Sequence, residues 1–479
     1  MKPPVADEPC LRARCCIVGA LVLLVTSLPG CRSVPTAELG TPGGVPPVDL
    51  SRSTSPAVVA GTDSDVQAWW WQFRNKELDM IVAAALAGNL DVAIAERRID
   101  QAQAVVARTR GGGLPTVDAS VRIDHDIKRS PRRDDGVEGQ LGLEWEPDIF
   151  SRRSADRERR RLELAASVHR RDAVRFGVTA AVVETYYGLV EQRRLLGLLE
   201  KQRQTAEDVL SLIEMRYREG LISRLDVLQQ QGQLAEIASL VPPALTALRD
   251  LELQLDLLSG RGSTPEGQIA MQEAFAELPP LAALGVGDRL LVHRPDLLAA
   301  QADIAAADAE VALAVANRMP RLTLGVDAVW IDGRANGGSP LVTLAASLVQ
   351  PLLDWGARRA ESERARAVLR ERVLDYAGLY LTAVNELEST VFAEARQREL
   401  LKVLQERRDI LGATLVQATD RYEAGLTDYL AVLSVTQQLY AVEQRLIREQ
   451  RRLISVRVAQ HRAIGGGVPA SDPPSGSAG

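Results

Sequence analysis

Four segments of the chain place apolar side chains at every second position, which is the pattern of a β-strand with one apolar face. The first two follow Pro115, and their apolar positions are Val117, Ala119, Val121, Ile123 and Ile127, then Val137, Leu141, Leu143 and Trp145. The same alternation returns at 322–330 and 344–348. The sequence therefore predicts two β-hairpins, at about 115–148 and 320–351, with roughly ten residues in each strand.

Strands of this length match either half-buried hairpins of a soluble domain or tilted strands that cross a bilayer. The polar face of the first hairpin is strongly acidic, with Asp118, Asp124, Glu138 and Glu144, and this favours a water-filled lumen. Four strands are too few to close a membrane barrel, which needs about eight. If the hairpins cross a membrane, several chains must contribute to one barrel, because an open strand edge is not tolerated in lipid.

Two very long helices are predicted at 154–218 and 360–423, because both stretches lack proline and contain very few glycines. Each would be about 100 Å long and would need neighbouring helices to cover its apolar residues as a coiled coil. Shorter helices are predicted at 77–110 and 295–318. Arg203 and Arg408 occupy the same position in the two long helices, either as a charge packed between helices or as part of a solvated face.

The two halves of the chain repeat one plan at an offset of 205 residues. We call this constant shift, which carries position 216 to position 421, the repeat offset. The stretches 216–234 and 421–439 match at nine of nineteen positions, and each is centred on a glycine, Gly220 or Gly425. Glycine accepts the left-handed conformation that ends a helix, and Ser223 and Asp428 can then cap the next helix. The sequence predicts a tandem duplication, 69–290 and 291–464, in which each half builds one helical hairpin.

The N-terminus predicts export and lipidation. Basic residues precede the apolar run "CCIVGALVLLVTSL", which is too short for a spanning helix, and the run ends in "LPGC", which resembles a lipobox. We expect a lipoprotein signal peptide at 1–30, acylation of Cys31 and a linker at 31–68; an ordinary signal peptide is the alternative. Position 32, directly after this cysteine, is Arg32. An aspartate there would resemble the signal that retains lipoproteins in the inner membrane of many Gram-negative bacteria, so arginine favours the outer membrane. The tail at 465–479 is predicted to be disordered.

Composition excludes several function classes. All four cysteines lie at or before Cys31, and the four histidines are widely scattered, so no metal site, cofactor site or catalytic site is predicted. The net charge of −6 gives no indication of nucleic-acid binding. The sequence predicts a protein that is not an enzyme.

The order and duplication of these motifs resemble the TolC-type outer-membrane efflux factors, in the lipoprotein branch that includes NodT-like and OprM-like proteins. The resemblance is carried by "LPTVDAS", "HRPDLLAAQADIAAADAEV", "RYREGLISRLDVL" and "RYEAGLTDYLAVL", together with the lipobox. It implies a homotrimer in which a twelve-stranded outer-membrane β-barrel continues into a barrel of twelve coiled-coil helices. It also implies a periplasmic adaptor and an inner-membrane resistance-nodulation-division pump as partners, and export of small molecules or drugs.

The resemblance and the apolar grooves expected between hairpins predict that the two tips dock the adaptor. The residues predicted for this surface are Gly220, Leu221, Ser223, Leu225, Asp226, Val227 and Leu228 in the first tip, and Gly425, Leu426, Leu430, Val432 and Leu433 in the second.

The resemblance also implies a gate at the tips. In relatives a tyrosine of the second tip bonds an aspartate of the first, and the matching residues here are Tyr422 and Asp226. Relatives carry carboxylates on the second return helix, whereas this chain has Ala431 and Ser434 there. We therefore expect weak block by multivalent cations, unless Glu423 or Asp428 supplies a substitute acidic ring.

Two alternatives to drug efflux are compatible with the sequence. One is an outer-membrane channel for type I protein secretion. The other is a lipid-anchored coiled-coil scaffold without a pore, which predicts a soluble and elongated protein once the lipid is removed.

Overall fold

The computed structural model describes residues 69–124, 136–265, 274–278, 294–332 and 341–465. The predicted signal peptide, Cys31, the 31–68 linker and the tail after Gly465 lie outside these described residues, as do the loops within both predicted β-hairpins.

The described chain is mainly helical and contains four strands. Its elements, in order, are a 3₁₀ helix Trp69–Phe73, α1 Lys76–Gly88, α2 Leu90–Gly111, β1 Thr116–Asp124, β2 Gly136–Trp145, α3 Arg152–Arg218, α4 Arg224–Leu258, α5 Pro295–Ala316, β3 Arg321–Asp332, β4 Leu341–Val349, α6 Ala357–Glu423 and α7 Tyr429–Ile464.

The predicted duplication is visible in where the elements begin. The repeat offset carries the first residues of β1, β2, α3 and α4 onto the first residues of β3, β4, α6 and α7, and that of α2 onto that of α5. The long helices α3 and α6 both contain 67 residues. These ten elements therefore start at equivalent positions in the two copies, with no insertion between one start and the next.

The chain forms two compact units, each assembled from separate stretches. One contains the described parts of 105–161 and 305–371, and the other contains those of 41–104, 162–304 and 372–479. The first unit holds all four strands, and the second holds the four helix ends that form the hairpin tips.

The four strands form one antiparallel sheet in the order β1-β2-β3-β4. Its register brings the predicted apolar positions into continuous rows, such as Val117 opposite Leu143, Leu143 opposite Val326 and Val326 opposite Leu344. The opposite face carries pairs such as Arg122 with Glu138. The predicted alternation is confirmed, and β2–β3 pairing joins the two hairpins into one sheet.

One predicted helix is in fact two. The sequence predicts a single helix over 77–110, but the structure breaks it at Asn89, where α1 and α2 meet at 45°. The Asn89 side-chain oxygen accepts hydrogen bonds from the backbone N–H groups of Asp91 and Val92, at 2.9 and 3.2 Å, and so caps α2. Its amide donates to the Leu258 carbonyl at 2.9 Å, which fixes the break against the end of α4.

Burial along α3 shows which of its heptad positions pack against neighbouring helices. Leu199, Ala206 and Ile213, spaced seven apart, are almost completely buried and form its seam. Arg203 instead pairs with Glu200 and Glu207 of its own helix, and Arg408 pairs with Asp409. Both arginines therefore take part in local ion pairs on a half-solvated face, and the structure shows no packed charge at these positions.

A buried polar cluster connects the 3₁₀ helix to α6 and α7. The Arg457 guanidinium forms two hydrogen bonds with the Glu394 carboxylate, at 2.5 and 3.1 Å, and both side chains are buried. The His461 ring stacks on Trp69 with centroids 5.1 Å apart, and its Nε2 contacts the Gln72 amide. Burial, and then the charge of Arg457, lowers the pKa of His461 to about 4, so this histidine is neutral at pH 7.

No single helix among the described residues is long and apolar enough to cross a membrane. The bent pair α1 and α2 meets the criteria of length and composition when the two are taken together.

Candidate functional site at the hairpin tips

The first tip is a helix C-terminus closed by glycine. Gly220 has a φ of 73°, and its N–H donates to the Tyr217 carbonyl at 2.9 Å. The Leu221 N–H donates to the Arg216 carbonyl at 2.9 Å. These two bonds form a Schellman motif, which satisfies carbonyls at the end of α3 and reverses the chain.

The return helix α4 begins with a capping box. The Ser223 hydroxyl accepts a hydrogen bond from the Leu225 N–H at 3.1 Å. The Asp226 carboxylate accepts from the Ser223 N–H and hydroxyl, at 3.0 and 3.1 Å. This reciprocal pairing fixes the angle at which α4 leaves the tip and engages the carboxylate of Asp226 locally.

The second tip has the same geometry. Gly425 has a φ of 72°, its N–H donates to the Tyr422 carbonyl at 3.0 Å, and the Leu426 N–H donates to the Arg421 carbonyl at 2.9 Å. Asp428 caps α7, and its carboxylate accepts from the backbone N–H of Ala431 at 3.3 Å. The helix caps predicted from the two glycines are confirmed in both halves.

Most residues predicted for adaptor docking are accessible in the single chain. The exposed ones are Gly220, Leu221, Ser223, Leu225, Leu228, Gly425, Leu426 and Leu430, and Asp226 and Val432 are half-buried. Two residues differ from the prediction: Val227 is 9% exposed and Leu433 is 6% exposed. Both pack with Ile213 and Tyr429 between the hairpins, so they stabilise the tips from inside and do not belong to the exposed surface.

The predicted hydrogen bond between Tyr422 and Asp226 is not formed within this chain. The Tyr422 hydroxyl is buried and has no hydrogen-bond partner among the described residues, while Asp226 accepts from Ser223. The Tyr422 ring lies 5.6 Å from the ring of Tyr429, and the Arg216 guanidinium lies over it at 5.4 Å. Tyr422 therefore contributes ring packing to the tips.

A different tyrosine makes the polar contact between the tips. The Tyr429 hydroxyl donates to the side-chain carbonyl oxygen of Gln230, and the Gln230 amide donates to the Ala206 carbonyl at 2.7 Å. Tyr429 is 4% exposed and Gln230 is 3% exposed. Burial and the neighbouring Tyr422 raise the pKa of Tyr429 above its ordinary value, so its hydroxyl keeps the proton that it donates.

Further glutamine contacts continue this connection along the helices. The Gln437 amide donates to the Gln233 side-chain oxygen at 2.8 Å, and the Gln202 amide donates to Glu443 at 2.9 Å. Sequence analysis missed these residues. The available signal was the glutamine-rich start of α4, since Gln230 and Gln233 are three apart and so lie on one helix face.

The tips enclose a cavity of about 260 Å³ between α3, α4, α6 and α7. Its lining includes Ile213, Gln230, Tyr422, Tyr429 and Tyr440. At the positions discussed for an acidic ring, Ala431 is half-buried, and Ser434, Glu423 and Asp428 are exposed. Among the described residues no group of three or more candidate metal ligands occurs.

Comparisons with known proteins cover nearly the whole chain. The family model described as outer membrane efflux protein matches residues 81–261 and 286–466. The repeat offset carries both ends of the first matched stretch onto those of the second, as it does for the first residues of the repeated elements.

The chain is 30% identical to the pyoverdine export outer membrane protein OpmQ of Pseudomonas putida over 474 residues, which cover 95% of this chain and 98% of OpmQ. It is 27% identical to the toluene efflux pump outer membrane protein TtgF of Pseudomonas putida, over 93% of this chain and 96% of TtgF. The crystal structure of the outer membrane protein VceC of Vibrio cholerae has the same fold, with a TM-score of 0.75 at 22% identity, over 84% of this chain and 99% of VceC.

Proposed function

Because the chain belongs to the outer membrane efflux protein family, we propose that three copies assemble into one export duct that crosses the outer membrane and extends into the periplasm. The protein is an outer-membrane exit channel of a tripartite efflux system, and its function is transport rather than catalysis. Its partners are a periplasmic adaptor and an inner-membrane pump, and we assign the pump to the resistance-nodulation-division class.

The proposal of a closed trimer rests on the four-stranded sheet. In the described chain β1 and β4 are its outer strands, and each pairs on one side only. The apolar rows of the sheet are largely exposed in the single chain, and they include Val121, Leu141 and Leu344. In lipid an unpaired strand edge is costly, and joining β4 of one copy to β1 of the next removes every edge. Three copies then contribute twelve strands.

The duplication specifies how these edges would pair. Within the chain, β2 pairs β3 with Glu144 opposite Gly325 and Leu143 opposite Val326. Adding the repeat offset to a residue of β2 gives its equivalent in β4, and subtracting it from a residue of β3 gives its equivalent in β1. Each β2–β3 pair within the chain therefore has an equivalent β4–β1 pair between neighbouring copies. Val349 should then lie opposite Ser120, and Leu348 opposite Val121, of the neighbouring copy.

Cysteine cross-linking tests this register directly. The chain has no cysteine after Cys31, so introduced pairs are read without background. Facing residues in an antiparallel pair have Cα atoms about 4.5–5.5 Å apart, which is within the range of a disulfide. Ser120→Cys with Val349→Cys should give disulfide-linked dimers and trimers on a non-reducing gel.

The matched control combines Ser120→Cys with Leu348→Cys. These residues are one register step apart and lie on opposite faces of the sheet, so no disulfide should form. If the control cross-links and the Ser120 and Val349 pair does not, the register is wrong. If neither pair cross-links in the membrane, closure through β1 and β4 is refuted.

The tips are the proposed adaptor surface. Leu221, Leu225 and Leu228 of the first tip and Leu426 and Leu430 of the second are exposed leucines beside helix reversals. Another helical tip can cover such leucines by inserting its own apolar residues between the hairpins. Replacing Leu225 and Leu430 with aspartate should abolish export while the cross-linked trimer persists.

Small molecules are the proposed cargo. The two Pseudomonas putida relatives are named for pyoverdine and for toluene, which are chemically unlike small molecules. This supports an exit duct in which the pump selects the substrate. Expression in a strain deleted for its own outer-membrane channel, together with the cognate adaptor and pump, should restore drug resistance. Unchanged sensitivity with normal trimers would argue against drug efflux.

A further inference from the structure

An arginine-lined pocket lies where the helices meet the sheet. It has a volume of about 370 Å³ and is enclosed by the end of α2, the start of α3 and the end of α5, all within the sheet-containing unit. Its charged lining residues are Arg108, Arg152, Arg153, Asp156, Arg159 and Arg160, which we call the arginine pocket.

Positive charge predominates in the lining of the pocket. Arg152 and Arg153 share one carboxylate, Glu146, at 2.5 and 3.1 Å. Arg159 pairs with Asp156 and Glu310, at 2.7 and 3.0 Å, and Arg160 approaches Asp156 at 3.6 Å. Arg108 forms no ion pair with any residue that the structure describes. The lining itself carries five guanidinium groups and a single carboxylate, that of Asp156, so it favours an anion.

The second repeat shows that the fold does not require this charge. The repeat offset carries Arg108, Arg152 and Arg160 onto Leu313, Ala357 and Ala365. Without the three arginines, α5 and α6 still span the residues equivalent to α2 and α3, and β3 and β4 begin at the residues equivalent to the starts of β1 and β2. The fold of the helix ends therefore does not depend on these three arginines, which leaves a role in binding as an explanation for their presence in the first repeat.

The pocket is bordered by side chains typical of a membrane surface. The Trp145 indole, at the end of β2, donates to the Gly113 carbonyl at 3.3 Å, and Arg153 bonds the adjacent Gly112 carbonyl. In the same unit, Leu352, Leu353 and Trp355 follow β4 and are highly exposed, with Trp355 at 90%. Tryptophan at strand ends is enriched at the level of lipid headgroups.

We propose that the arginine pocket binds the phosphate group of an anionic phospholipid in the periplasmic leaflet of the outer membrane. The proposal rests on the proposed function, which places the apolar face of the sheet in that membrane. Guanidinium groups bind phosphate oxygens through paired, charge-assisted hydrogen bonds. The Arg153 Nε is buried and has no hydrogen-bond partner among the described residues, so this lining guanidinium keeps one uncommitted donor.

Native mass spectrometry of the full-length lipidated protein tests the proposal with phosphatidylglycerol and phosphatidylcholine as probes. The wild type should retain phosphatidylglycerol in preference to phosphatidylcholine. Arg152→Ala with Arg160→Ala copies the residues of the second repeat and should fold. It should bind phosphatidylglycerol about tenfold more weakly or worse, because charge-assisted hydrogen bonds are lost. Arg108→Leu, which copies Leu313, provides an independent variant with the same expected direction.

The control Arg366→Ala with Arg370→Ala removes the same charge from exposed positions of α6 outside the pocket and should bind lipid as the wild type does. Equal retention of both lipids, or equal losses in control and pocket variants, overturns the proposal. If inorganic phosphate at millimolar concentration competes fully with the lipid, the pocket is a free-anion site and the lipid assignment is wrong.

The same samples should carry the Ser120 and Val349 cysteine pair. Cross-linked trimers without a preference for phosphatidylglycerol overturn the lipid site alone. Absence of trimers overturns the proposed function instead, so the two failures are distinguishable.

Discussion

Replacing Tyr429 with phenylalanine should separate the two hairpin tips. The Tyr429 hydroxyl donates to Gln230, whose amide is already committed to the Ala206 carbonyl. Phenylalanine keeps the ring that packs on Tyr422 and removes only the hydroxyl. The Gln230 side-chain oxygen would then be buried without its donor, as long as the tips stay together.

The expected size follows from the burial of both partners. A buried acceptor left without a donor costs about 1–3 kcal/mol. Water can donate to the Gln230 oxygen once the tips separate. The lost hydrogen bond therefore destabilises only the state in which the two tips are in contact. The equilibrium between joined and separated tips should therefore shift by roughly 5- to 150-fold towards separation.

The assay is the conductance of purified trimers in a planar bilayer, with Tyr422→Phe as the matched control. The Tyr422 hydroxyl is buried and has no hydrogen-bond partner among the described residues, so its removal should leave conductance unchanged or lower it. Tyr429→Phe should raise the open fraction or the mean conductance. Wild-type conductance in Tyr429→Phe, or an equal rise in both variants, would refute the assignment of the contact to Tyr429.

Three further predictions concern the caps, the buried histidine and the proposed acylation of Cys31. Gly220→Val or Gly425→Val should destabilise the substituted tip by about 1–2 kcal/mol or more, because valine is strained at a positive φ. No atom lies within 4 Å of a Cβ at either glycine, so steric overlap does not add to this cost. Either variant should abolish export complementation while the trimers remain intact. The pKa of His461 is about 4 in the folded chain and about 6.5 in the unfolded chain, so the unfolded chain takes up the proton at a higher pH. The free energy of unfolding should therefore fall by up to about 3 kcal/mol as the pH drops from 6.5 to 4. Thermal unfolding of His461→Gln should lack this part of the acid sensitivity, and an unchanged pH profile would show that His461 is not its source. Cys31→Ser should remove the acyl chains detected by mass spectrometry and weaken anchoring, while cross-linked trimers persist; an unmodified N-terminus elsewhere in the wild type would contradict lipidation.

Periodic features of the chain were predictable because they depend on neighbouring residues. The alternation after Pro115, the long proline-free stretches and the two tip glycines each specify local geometry, and the structure confirms the strands, helices and caps. The family resemblance, the outer-membrane location and the export function are confirmed by the comparisons.

Other features depend on which segments meet, and the sequence alone does not specify this. The break at Asn89 interrupts an apolar pattern that continues on both sides, and its amide bonds a residue 169 positions away. Val227 and Leu228 are adjacent apolar residues, yet only Val227 turns into the core between the hairpins. The choice of Tyr429 over Tyr422 as hydrogen-bond donor likewise depends on the facing helix.

The constancy of the repeat offset couples the lengths of the two copies during evolution. Removing two helical turns from α3 alone would draw the first tip back by about 10 Å, at roughly 1.5 Å per residue, and take Gln230 out of reach of Tyr429. Removing two turns from α6 as well would shorten both hairpins together and keep the tips level. Related proteins of different length should therefore differ by paired deletions or insertions at equivalent sites of the two halves, and a single unpaired change in a long helix should be strongly selected against.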